Sequence, residues 1–457
     1  MLLSPAGTDQ STSPSRRRAV RSWSIEVARD ERSRSIVLGI LLVLLFRQTI
    51  AAPIRAYVPF FWYIPDVFML GAFLILIYVG AKERVLAMLI FTGFVLILVG
   101  YAMVANPIVD VVLQARQVGY VILAAFAGMG IRRGNQFIAK AIVVAGGLAI
   151  LGVYYDYLIG VPWANAVFEG ALQTKEVSRE WWGNGGERRL SGFGLASTDT
   201  AVVIAVGALT MCAVTQSRIR IASALFAAAA VHTLLLTTQK ATAAWLVIVL
   251  LVAYAVPLLM PRRNSFGSAP FLRILAVGGL CACILVPMIF FGARLGQDFS
   301  VNAPTLDQRT SEVWPAAIPM LGQFPQLLLG YGLGAVGQTA TIPSLALVDN
   351  MFLFIALMVG APLTLLIFAV SAYGLWKAPM RDPLDFSALA MAALLILNGI
   401  TANMVGTGGV GSMFLGMAIG ILLRPTRRRS SSNTERSTER SPERRTSRSS
   451  RSSRAPL

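Results

Sequence analysis

The sequence carries one histidine, His232, and only three cysteines, Cys212, Cys281 and Cys283. Charge is scarce too: 14% of residues are Asp, Glu, Lys or Arg, against roughly a quarter in soluble globular chains. Each scarcity excludes something. The cysteines all lie inside apolar runs, where the thiol packs as a small hydrophobe. Cys281 and Cys283 stand two apart and do not share a helix face, so neither a disulfide framework nor a zinc site follows. His232 has no second ligand type near it and reads as a hydrogen-bonded packing residue. No metal-ligand spacing, phosphate-cradling glycine loop or Ser/His/Asp arrangement occurs. The missing nucleotide motif argues against an ATP-driven pump, and no cofactor or metal is called for.

What is abundant is apolar: 56% of the chain is hydrophobic and the mean hydropathy is +0.66. A membrane-crossing helix needs about 20 mostly apolar residues, and lipid accepts only helices or closed barrels. The runs are continuous rather than alternating, which selects helices. The fold class read from this is all-α, a polytopic helical membrane protein of about 12 transmembrane helices. The runs fall near 36–52, 60–79, 85–105, 108–129, 137–159, 200–215, 219–236, 242–260, 272–291, 351–373, 386–404 and 408–423. The first lacks a small-residue cleavage site and is interrupted by Arg47, so it reads as an uncleaved span rather than a signal peptide.

Residues 36–423 therefore form a membrane domain between two basic tails, 1–35 and 424–457. The second tail holds 11 Arg and 3 Glu among Ser and Thr and is too poor in apolar residues to fold. These tails account for much of the net charge of +18. They read as disordered cytoplasmic ends that fix topology and touch anionic lipid, not as nucleic-acid binders. Every second connection is also basic: Lys82/Arg84, Arg132/Arg133, Arg218/Arg220, Arg262/Arg263 and Lys377/Arg381. Both termini are thus expected in the cytoplasm. Two long connections, about 160–199 and 292–350, then face outward, the second lying between spans 9 and 10.

The loop 160–199 carries Trp163, Trp181, Trp182, Arg188 and Arg189. Tryptophans beside polar groups suit either stacking on sugar faces or an interfacial belt. Arg188 and Arg189 break the positive-inside pattern and suggest an anionic partner. Asp66, Asp110 and Arg116 lie within apolar runs, where charge is costly and usually paired. Asp66 and Arg116 sit at similar depths, so an ion pair between spans two and four is expected, as a staple or in an active role. Arg47 either snorkels to a headgroup or holds a lipid phosphate.

Four short pieces complete the pattern. They are Arg189-Leu190-Ser191-Gly192-Phe193-Gly194, then Thr237-Thr238-Gln239-Lys240-Ala241-Thr242-Ala243. The third is Arg309-Thr310-Ser311-Glu312-Val313-Trp314 with Pro325 and Leu329-Gly330-Tyr331-Gly332-Leu333-Gly334. The fourth is Asp349-Asn350-Met351-Phe352-Leu353 running to Val359-Gly360. In this order, over roughly 36–423, they resemble the O-antigen ligase and Wzy-type polysaccharide polymerase family, whose large periplasmic loop also precedes the last spans. The family's ligases usually place His where this chain has Asp349, which moves the reading toward a polymerase.

The resemblance implies glycosyl transfer from an undecaprenyl-diphosphate-linked glycan at the periplasmic face of a bacterial inner membrane. Arg189, Lys240 and Arg309 would hold the diphosphate, with Arg188 and Arg116 as further cations and Trp181 and Trp182 against the glycan. Asp349 would take the acceptor proton or orient the hydroxyl, and Asn350 would hold it. The bland alternative for Arg309 and Asp349 is a salt bridge closing the loop onto the bundle. For Gly330, Gly332 and Gly334 it is ordinary turn formation. Implied partners are the lipid-linked glycan, membrane lipid, and chain-length regulators or export proteins. A ligase with a different acceptor, a lipid-linked glycan transporter and a non-catalytic scaffold are the rival classes.

Overall fold

A computed structural model describes residues 35–83, 99–131, 136–164, 166–169, 174–178, 181–182, 188–214, 220–255, 267–294, 307–337, 348–406 and 409–424. Residues 1–34 and 425–457 of the basic tails, the stretch 84–98 of the third run, and parts of both long loops lie outside the described residues.

Among the described residues helix occupies every one of the apolar runs, the third being described at residues 99–105. In order these are α1 (Ser35–Thr49), α2 (Ala51–Tyr57), α3 (Ile64–Glu83), α4 (99–105), α5 (Ile108–Gly130), α6 (Gln136–Leu158), α7 (Ser197–Val214), α8 (Arg220–Leu236) and α9 (Lys240–Leu250). There follow α10 (Ala269–Arg294), α11 (Trp314–Leu321), α12 (Gln326–Leu329), α13 (Met351–Val359), α14 (Ala361–Lys377), α15 (Pro383–Asn398) and α16 (Val410–Leu422). Among the described residues three stretches, Ile108–Gly130, Gln136–Leu158 and Ala269–Gly292, are long and apolar enough to cross a membrane, and the bent pair α1–α2 makes a fourth if it counts as one span. Apolar side chains such as Val67, Leu70, Leu151, Ile221, Ile274 and Val370 are exposed, which suits helices bathed in lipid. By contrast α15 and α16 are buried along nearly their whole length.

Close backbone approach holds this centre together. A Cβ at Gly416 or Gly420 would strike the carbonyl oxygens of Val121 and Ala125 on α5, and one at Gly128 would strike Met417 O at 2.7 Å. Gly416-Met417-Ala418-Ile419-Gly420 is thus a small-xxx-small face, the contact that packs helices where no hydrophobic effect drives them together. At the far end of α16, Arg424 donates to Ile131 O, pairs with Asp382 at 3.2 Å, and also pairs with Asp385. Asp382 in turn caps α15 by accepting from Asp385 N–H, with Pro383 in the first turn. The packed unit therefore runs through Arg424, one residue beyond the expected boundary.

The structure departs from the sequence reading in three places. The first run bends by 78° between α1 and α2. The run 351–373 is not one helix: it breaks at Gly360, whose φ is +89°. Tyr331 and Gly332 donate to Leu357 O and Met358 O at 2.6 and 3.1 Å, so the glycine-rich segment takes the acceptors at the end of α13. A side chain at Gly360 would meet the carbonyl of Leu328. Finally, the loop 160–199 is not free of strand. Its β1 (Val167–Glu169) pairs antiparallel with β2 (Thr174–Glu176), and β3 (Trp181–Trp182) with β4 (Arg188–Arg189).

Candidate functional site

Charged groups of the two long loops act on one another. Arg309 opens a wide helical turn, Arg309–Val313, that runs into α11. Single turns of this i→i+5 kind recur at functional positions because they turn a side chain out of helical register. Buried Thr310 and Trp314 anchor the turn, the indole packing against Phe290 with ring centroids 6.2 Å apart. Arg309 donates from Nε to Asp349 Oδ2 at 3.0 Å, and Nη2 lies 3.0 Å from the same oxygen. The pair is partly open, the side chains being 25% and 34% exposed.

Arg189 completes the group. It arrives on β4, opposite Trp181 in the strand register. Burial first, then the charge of Arg309, pushes its guanidinium below the usual arginine value, while Asp349 pulls it back up. An arginine remains charged through any such shift. Arg189 Nε is shut off from solvent and meets no acceptor among the described residues. Two guanidiniums and one carboxylate thus act on one another, with cationic hydrogen-bonding capacity left unused.

Asn350, next to Asp349, is fully buried and caps α13. Its Oδ1 accepts from Leu353 N–H at 3.0 Å, and its Nδ2 donates to Ile400 O at 3.0 Å. Met351 N–H reaches Gly399 O at 2.8 Å. Thr242 Oγ1, in the first turn of α9, donates to Asn398 Oδ1 at 3.0 Å, and Gln239 Nε2 donates to Ser197 Oγ at 3.2 Å. These bonds gather the starts of α7, α9 and α13 around the turn that ends α15. Helix N-termini carry partial positive charge and unsatisfied N–H groups, so their gathering favours an anion.

The remaining predicted residues have other surroundings. Lys240 is exposed at the first position of α9. Arg188 is held by Asp156, Nη2 to Oδ1 at 2.9 Å, while Asp156 Oδ2 accepts Gly192 N–H at 3.1 Å. Arg116 pairs with Asp66 at 3.2 Å, as the depth argument expects. The backbone of Trp181 and Trp182 lies in β3, and their side chains fall outside the described residues. Trp163 is buried in a small apolar cluster with Trp62 and Val177, a packing role rather than sugar stacking. His232 makes the expected packing bond, its Nδ1 2.7 Å from Tyr154 Oη. Asp110 sits in the first turn of α5, where a carboxylate complements the helix dipole.

Gly330 and Gly334 do more than turn the chain. With φ of +69° and +91°, they let backbone lie against Met358 and Val111, where a Cβ would collide at 2.5 and 2.9 Å. Gln114 and Asn106 grip this segment from α5 and its approach. Gln114 donates to Val336 O at 2.8 Å and accepts from Gly334 N–H, and Asn106 donates to Tyr331 O and Leu333 O at 3.0 and 3.1 Å.

Asp156 and the Thr242–Asn398 link escape the sequence reading. Asp156 left a signal, an acid inside an apolar run; Thr242 and Asn398 left none. No protein-family model and no curated protein matches this chain.

Proposed function

We propose that the chain is a membrane glycosyltransferase. In this reading it transfers or polymerises undecaprenyl-diphosphate-linked oligosaccharide units at the periplasmic face of the bacterial inner membrane, the polymerase form being favoured. The observation that carries it is the Arg309–Asp349 bridge of one long loop, whose two charges both act on Arg189 of the other. The order of short motifs, which resembles ligases and polymerases of this kind, supports the same reading. The topology it takes is about 12 crossings with both ends cytoplasmic, which sets both long loops on one side.

Asp349 holds Arg309. A diphosphate arriving at Arg189 and Arg309 offers more oxygens and more charge than one carboxylate, and it displaces Asp349. The acceptor hydroxyl then attacks the anomeric carbon as the bond from that carbon to the diphosphate oxygen breaks. The bonding electrons leave with the diphosphate, where the two guanidiniums meet the growing charge. The released carboxylate of Asp349 takes the hydroxyl proton. Asn350 serves this site by fixing the start of α13, and Arg188 by anchoring its ribbon to Asp156. The Arg309–Asp349 bridge then also closes the loop.

A transporter reading draws on the bend after Thr49 and the break at Gly360, since interrupted helices mark transport sites. One assay separates the two. Purified protein in detergent, without any gradient, is given a lipid-diphosphate oligosaccharide and an acceptor. Release of lipid diphosphate with a new glycosidic bond supports the transferase; unchanged substrate defeats it. The species left when the protein is absent from cells separates polymerase from ligase. Single repeats on lipid indicate a polymerase, and long chains on lipid indicate a ligase with another acceptor.

A further inference from the structure

Apart from the loop residues, a second cationic centre lies among α1, α3 and α5. Asp66 Oδ1 accepts from Arg47 Nη1 at 3.0 Å, and Asp66 Oδ2 accepts from Arg116 Nη1 at 3.2 Å. Arg47 Nη1 also donates to Trp62 O at 2.8 Å and its Nη2 to Tyr120 Oη at 3.1 Å. The Arg47 guanidinium carbon stands 4.5 Å from the Trp62 ring centroid, and that of Arg55 stands 3.9 Å from the same ring. Among the described residues, one carboxylate thus answers for two arginines. Arg47 is buried, at 3% exposure, and the Nε atoms of both Arg47 and Arg116 are closed to solvent with no acceptor among the described residues.

This imbalance is costly. A buried ion pair breaks even only when geometry and further hydrogen bonds compensate its lost hydration, and an excess charge in a lipid-facing bundle is worse still. A pure staple would need one arginine. The second is explained if an anion joins the cluster.

The open side indicates which kind. Arg116 and Asp66 are partly exposed, and the exposed neighbours on α3 and α5 are apolar: Val67, Leu70, Leu74 and Val112. Cationic donors beside an apolar, lipid-facing wall match a ligand with an anionic head and a hydrocarbon body. We propose that Arg47 and Arg116 form a seat for the phosphate of a membrane lipid, which shares the guanidiniums with Asp66 while its chains lie along α3. The ligand chemistry is a phosphate ester on a long hydrocarbon, either a glycerophospholipid or a polyprenyl phosphate. The inference does not depend on glycosyl transfer.

The test is binding to the full-length purified protein, read by native mass spectrometry and by titration in neutral detergent. Three probes are used: phosphatidylglycerol, undecaprenyl phosphate and inorganic phosphate. Wild type is expected to retain one lipid phosphate, and whichever lipid binds tighter identifies the source. Arg116→Gln, at a partly exposed position, is expected to weaken that binding at least about tenfold, with Arg116→Lys intermediate. Asp66→Asn removes the competing carboxylate and is expected to tighten binding. Inorganic phosphate binding as well as either lipid would overturn the proposal, as would unchanged affinity in Arg116→Gln. Loss of binding in Asp66→Asn, with a monodisperse protein, would reduce the cluster to a staple and overturn it equally.

Discussion

Arg309 and Asp349, forty residues apart, meet through two guanidinium nitrogens on a single carboxylate oxygen. This one-sided grip is weaker than a fork-to-fork pair, in which each nitrogen has its own oxygen. A bridge of this kind can be exchanged for a better anion, as the proposed function requires.

Arg309→Ala and Asp349→Ala should each abolish polymer formation while the protein accumulates in the membrane at its usual level. A partly exposed pair contributes only on the order of 1 kcal/mol to folding, too little to deplete the protein. Polymer yield and length in cells, beside an immunoblot of the membrane fraction, check this. Wild-type polymer in both variants would remove the catalytic assignment.

Arg189→Gln should lose activity without losing stability. Burial and Arg309 both disfavour the charged form of Arg189 in the folded protein, so removing that charge relieves the fold. The melting midpoint in detergent should hold or rise as turnover disappears, the trade-off of a strained functional group. A lower midpoint together with lost turnover would make Arg189 structural instead.

Asp156 and Arg188 should behave in the opposite way. Asp156→Asn leaves the Arg188 guanidinium beside a neutral amide and should cost on the order of 2 kcal/mol of stability. The double variant Asp156→Asn/Arg188→Gln should recover part of that loss. A double-mutant cycle of thermal midpoints measures the coupling, and additive losses would show that the pair is not an energetic unit.

Glycine variants test the break in the run 351–373. Gly360→Ala forces a side chain into the left-handed region, costing about 1–3 kcal/mol, and against Leu328 O besides. Gly278→Ala, inside α10 with open space around it, should be neutral or add up to about 1 kcal/mol. Fluorescence-detected size exclusion after heating compares them, and equal midpoints would show that the break is not needed.

The helices were legible because lipid-facing and core-facing surfaces are both apolar, so long runs announce themselves whatever they pack against. The break at Gly360 was not, since the apolar run continues through it and its cause is a distant segment, Tyr331–Gly332, taking the acceptors at the end of α13. The pairing of Asp66 with Arg116 followed from depth alone. Arg47 joins them from α1, a contact that hydropathy cannot report. Arg188 and Arg189 look equivalent in sequence, and only the buried position of Asp156 separates them. Asn350 stood beside Asp349 in a motif, yet its side chain is spent on capping α13.

Among the described residues the β3–β4 ribbon pairs at two positions, Trp181 with Arg189 and Trp182 with Arg188. Neighbouring residues on a strand point to opposite faces. One arginine therefore moors the ribbon to Asp156 while the other feels the charges of Arg309 and Asp349. This register is also a gauge of loop length. Inserting or deleting one residue between Trp182 and Arg188 would leave both arginines in the chain yet trade their duties, giving Asp156 the wrong partner and turning the working guanidinium away from Arg309. The number of residues between Trp182 and Arg188 is thus as much a part of the site as the arginines themselves.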